Sequence, residues 1–119
     1  MTDERPRPVD PSPIPLLDGM RGRGQSWHEI APRYGVTNAD PPWKSSLHAT
    51  CECLAAGGAL ASLDRRQAED RLAESTYRDV PAPERQLLAL AHTILSRGLM
   101  TEADLDRRMK AVRARLEAG

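Results

Sequence analysis

The sequence is poorest in large aromatic anchors. Among its 119 residues there is no Phe, and Trp and Tyr supply only two residues each. Such a chain must build its core from aliphatic side chains, and a core of this size is only modestly stabilising. There are only two cysteines, too few for a disulfide-rich scaffold. Charge of one sign is also missing. Lys+Arg and Asp+Glu both number 17, so the formal net charge is zero. A nucleic-acid or anionic-membrane partner usually leaves a basic excess, and none is present. No apolar run approaches the ~20 residues of a membrane span. The start, MTDERPRPVDPSP, lacks the apolar core of a secretory signal. The expectation is one cytoplasmic domain with reduced thiols, no membrane and no nucleic acid.

What is abundant is proline, concentrated at one end. Pro6, Pro8, Pro11, Pro13 and Pro15 fall in the first fifteen residues. Proline fixes φ and removes a donor, so residues 1–39 read as an extended Pro/Gly-rich arm. The arm is either a disordered tail or a strap whose apolar residues, such as Ile14, Leu16 and Leu17, dock on a partner. A short helix near 27–34 fits SWHEIAPRYG, with Ser26 as N-cap and Gly35 as stop.

Residues 40–119 read as helical, giving an all-α fold: an extended arm followed by a small bundle of about four helices. Asp40 is the expected cap of the first, with Pro41 and Pro42 in its opening turn. Trp43, Leu47, Cys51 and Leu54 recur at helical spacing until Gly57-Gly58. Ser62 is the expected cap of the second, LDRRQAEDRLAES, whose apolar face is thin. A turn at Pro81 and Pro83 leads to a third helix with Leu87, Leu90, Ala91, Ile94 and Leu95, stopped by Gly98. Thr101, with Asp104 three residues on, resembles a capping box and opens the fourth. That helix places Leu105, Met109, Val112 and Leu116 on one stripe. GALAS (58–62) and GLMT (98–101) are a faint internal echo, each joining two helices.

Chemistry-bearing motifs are few. HATCECL holds both cysteines. On a helix, residues two apart diverge by ~200°, so Cys51 and Cys53 do not converge on one metal. His48 and Cys51 together do not complete a zinc site. The expectation is packed cysteines and no metal on this chain. There is no GxSxG, HExxH or phosphate loop. His28 and His92 lack an evident partner. The cluster DRRQAEDR (64–71) is either a solvated helix face or a surface for a protein partner, since arginine presents a planar fork suited to oxyanions.

The runs PPWKSSLHATCECLAAGGALASLDRRQAEDRL and ERQLLALAHTILSRGLMTEADLDRRM resemble the helical N-terminal region of nitrile hydratase β subunits. The shared features are a Pro-Trp helix start, an apolar helix, a glycine turn, an arginine-bearing helix, and a last helix opening T/S-x-x-[DE]-L. The resemblance covers about residues 40–112. It implies a subunit of an enzyme that hydrates a nitrile to an amide, a lyase whose Co(III) or Fe(III) sits in a partner α subunit, in a CxxCSC motif with oxidised cysteines. The family's β subunit supplies an arginine that hydrogen-bonds those oxidised sulfurs. Arg66 falls on that position, with Arg65 the neighbour one register away. The family's tyrosine-rich YYxxW-like channel motif is replaced by Ala82-Pro83-Glu84-Arg85-Gln86, with Tyr77 nearby. A pocket lined by Tyr77, Ala82 and Pro83 would admit a bulkier nitrile. The resemblance further implies a split β subunit, as in toyocamycin nitrile hydratase or thiocyanate hydrolase. Its partners would be the α subunit and a C-terminal β-like chain. The nitrile hydratase activators, metallochaperones that share this region, are the alternative.

Overall fold

The structure, a computed structural model, describes residues 8–21, 26–37 and 40–118. Among them are six α-helices and no strand. They are α1 (Pro15–Arg21), α2 (Trp27–Ile30), α3 (Lys44–Ala56), α4 (Ser62–Ala73), α5 (Ala82–Ser96) and α6 (Glu102–Ala118). A 3-10 turn, Ala31–Tyr34, continues α2. The all-α reading with an N-terminal arm therefore holds.

The arm's described residues are neither a free tail nor wholly extended. They form α1 and lie on the chain's own body. Val9 and Leu17 are buried with Ala68 and Leu72 of α4, Tyr77, and Leu88 and Ala89 of α5. Ile14 and Met20 pack against the same cluster. The absence of Phe explains the arrangement. The α4–α5 pair alone has too little apolar surface, and the arm supplies the missing side chains. Burial at ~25 cal/mol per Å² makes this strap a substantial part of the core. Polar contacts fix it: the Leu16 N–H donates to Glu102 Oε2 at 3.0 Å, and the Thr76 hydroxyl donates to the Pro11 carbonyl. The Trp27 N–H donates to Glu84 Oε1 at 2.6 Å, which ties α2 to α5.

A smaller cluster, Leu47, Leu60 and Leu90, joins α3 to α5, flanked by Trp43, Cys51, Leu54 and Ile94. The helix of Trp43 starts later than Asp40 suggests. Its first helical residue is Lys44, and Asp40 accepts from the Lys44 ammonium at 3.1 Å. Residues 42 and 43 form a turn instead. Asp40 is thus an ion-pair partner of Lys44, and the N-cap position of α3 falls on Trp43.

The internal echo is real in the backbone. Gly58 has φ +77° and Gly98 φ +71°, the left-handed region that favours glycine at a helix stop. After α3, the Gly58 N–H donates to the Ala55 carbonyl and the Ala59 N–H to that of Leu54. After α5, Gly98 donates to Leu95 and Leu99 to Ile94, the same pattern. The next helix then begins with its N-cap three residues beyond each glycine. That position is Ala61 in one case and Thr101 in the other. Ser62 is therefore the first residue of α4 and makes no capping bond, a correction of one residue. Thr101 does cap: its hydroxyl accepts from the Asp104 N–H at 3.1 Å.

Candidate functional site

α4 lies along α5 and shows two faces. Ala68 and Leu72 point into the core. The charged remainder divides around the neighbouring arginines. Arg65 turns toward α3 and α5. Its guanidinium pairs with Glu69 at 3.4 Å, one helical turn on, with both side chains about a quarter exposed. Together with His48 and Cys51 of α3 and Gln86 of α5, the pair lines a cleft of about 240 Å³ floored by Leu47, Ala89 and Leu90. Burial raises the Cys51 thiol's pKa, and the Arg65 charge opposes that rise in part. This thiol is protonated at neutral pH and is a poor nucleophile.

Arg66 is one residue on, about 100° around the helix. Its side chain is exposed and has no hydrogen bond or ion pair among the described residues. One register apart, the two arginines differ in availability. Arg65 is paired with Glu69 at the cleft, and Arg66 is exposed without a partner among the described residues.

The cysteines diverge, with an unequal outcome. Cys51 is half-buried in the α3–α5 cluster, and Cys53 is exposed. Packing therefore describes Cys51 and not Cys53, because Ala49 and Ala56, beside Cys53 on the helix, are themselves exposed. No group of three or more His, Cys, Asp or Glu side chains among the described residues is placed to hold a metal ion.

Tyr77 stands apart from Ala82 and Pro83. It is 1 % exposed, in the arm cluster. Its hydroxyl donates to His92 Nδ1 at 2.7 Å, and His92 Nε2 donates to the Asp10 carbonyl at 2.6 Å. The carbonyl can only accept, so Nε2 carries the proton, and Nδ1 is left to accept from the tyrosine. Burial pushes the Tyr77 hydroxyl up to about 12. His92 thus has two partners that the sequence did not reveal, because one is a backbone carbonyl 82 residues away. Ala82 is exposed and Pro83 half-buried at the start of α5. None of the three lines the α3–α4–α5 cleft.

Comparison with known proteins agrees with this architecture. The family profile described as nitrile hydratase beta subunit, N-terminal, matches residues 15–118. The match thus reaches back through α1 and α2, beyond residues 40–112. No curated protein and no solved structure matches the chain at a significant level. A helical body spanned from α1 to α6 by one family profile carries the conclusion: this chain belongs to the nitrile hydratase beta subunit, N-terminal, family.

Proposed function

We propose that this chain is the non-metal subunit of a nitrile hydratase-type hetero-oligomer. The observation that carries the reading is Arg66, an exposed arginine without an intramolecular partner on the helix where the family places its sulfur-binding arginine. A guanidinium donates two parallel hydrogen bonds to an oxyanion, and charge-assisted bonds of this kind contribute roughly 1.5–3 kcal/mol each. In the assembled enzyme Arg66 would hold the oxidised cysteine oxygens of the α subunit. A Co(III) or Fe(III) ion on that subunit would supply the Lewis-acid chemistry that turns a nitrile into an amide.

Ala82 and Pro83 at the α5 start bear on the substrate. Small side chains there leave room for a bulky nitrile, sized to an aromatic ring rather than to acrylonitrile; Tyr77, buried in the arm cluster, would not touch substrate. A C-terminal β-like chain would complete the pocket. The test is co-expression with the metal-binding subunit. A subunit stays at fixed stoichiometry in the active, metal-loaded enzyme. A chain that leaves once the metal is loaded is an activator instead. Preference for thiocyanate over any nitrile assigns the complex to thiocyanate hydrolysis.

A further inference from the structure

α6 is the least satisfied element of the molecule. Every residue from Arg107 to Ala118 is exposed, and the helix buries none of its side chains fully. Among the described residues its first turns meet the body through Glu102 on the Leu16 N–H and Leu105 against the arm cluster. Beyond them Met109, Val112 and Leu116 are 38, 43 and 76 % exposed, in line with Leu105. These four line one shallow apolar groove together with Arg108 and Arg113.

The spacing of the stripe identifies what fits it. Leu105, Met109, Val112 and Leu116 are separated by four, three and four residues. That is the narrow seam of helix-on-helix packing, in which an a/d row meets a second helix. A membrane-surface helix has a broader apolar face with aromatic residues, and α6 has none. The flanks give the sign of the partner. On a helical wheel Arg108 and Arg115 border one side of the seam beyond its first turns, and Arg113 borders the other. Of the nearby acids, Asp104 pairs with Arg107 and Asp106 with Lys110 at 2.9 Å, while Glu117 lies beyond Arg113 at the end of the helix, farther from the seam. A second copy is disfavoured by the same rows. In an antiparallel pair the Arg108–Arg115 edges of two copies meet, and in a parallel pair the Arg113 edge meets them. Like charges across a helix seam repel, whereas opposite charges select the partner.

We propose that α6 is a docking helix whose seam receives an amphipathic helix of another protein, with Asp or Glu flanking its apolar row. The assignment stands independently of the nitrile hydratase reading.

The test uses the full chain and two synthetic three-heptad peptides, both with leucine at the seam positions. One carries glutamate at the flanks and the other lysine. The expected result is that the glutamate peptide binds more than tenfold tighter, that added salt weakens it, and that V112D removes the binding while helicity by circular dichroism is unchanged. The double variant R108E/R113E should reverse the preference toward the lysine peptide. Failure of both peptides to bind would overturn the proposal. So would self-association abolished by V112D, which assigns the seam to a second copy, or a preference for phosphatidylglycerol vesicles over the glutamate peptide, which assigns it to a lipid surface.

Discussion

The arm–α5 interior and the outer faces of α4 and α6 treat their side chains in opposite ways. In the interior, Tyr77, His92 and the Asp10 carbonyl satisfy one another, and Leu17, Leu72 and Ala89 are almost fully buried. On the outside, Arg66 has no partner among the described residues, and the α6 seam faces solvent. The difference shows where the chain is self-sufficient. It uses its own proline-rich arm to complete a core that contains no Phe, and it leaves an arginine and an apolar seam exposed to solvent.

The interior half of this comparison is broken most severely at Leu72, which is 0 % exposed where α4, α5 and the arm meet. Leu72→Ala should cost about 2–5 kcal/mol, a transfer loss plus a cavity, measured by urea unfolding. A domain of this size has little stability to spare.

Tyr77 gives the next effect. Tyr77→Phe keeps the ring and removes the hydroxyl, which leaves His92 Nδ1 buried without a donor, at about 1–3 kcal/mol. The same hydroxyl predicts an alkaline limit. Its folded pKa, about 12, lies above the ordinary value of 10. Between these values the unfolded chain releases the proton and the folded chain keeps it. The contribution is complete below pH 10 and is lost as pH rises toward 12. Stability of Tyr77→Phe, measured over the same range, should lack that component of the decline.

Thr101→Ala sharpens the contrast at the base of α6. Loss of its hydroxyl from the Asp104 N–H should cost about 0.5–2 kcal/mol. Because α6 is packed only near its start, part of this cost should appear as faster amide exchange along α6 while α5 stays protected.

Much of the scaffold was legible in the sequence. The α4, α5 and α6 segments, the glycine stops after α3 and α5 and the Thr101 cap follow from local rules of propensity and capping. The Asp40 and Ser62 caps were local errors of helix boundary; the larger errors depended on contacts distant in sequence. Apolar periodicity on α5 named Leu87, which is 41 % exposed, and omitted Leu88 and Ala89, because the arm covers that side of the helix. His92 looked unpartnered because both its partners come from other segments. The α6 stripe looked like core, since a pattern of apolar residues does not say whether the surface that covers it belongs to the same chain. For the candidate site, spacing alone left Arg65 and Arg66 as neighbours in doubtful register. In the fold their surroundings differ, with Arg65 paired to Glu69 and Arg66 exposed.

The smallest expected change in stability accompanies the largest expected change in activity. Arg66→Ala, an exposed truncation, should alter unfolding free energy by less than ~0.5 kcal/mol. The decisive measurement is nitrile turnover by the co-expressed, metal-loaded complex carrying Arg66→Ala, beside Arg65→Ala and Arg66→Lys. The account predicts that Arg66→Ala assembles and loses most activity, that Arg66→Lys is largely inactive because lysine keeps the charge without the fork, and that Arg65→Ala retains more turnover than either. Near-normal turnover by an assembled Arg66→Ala complex would contradict it.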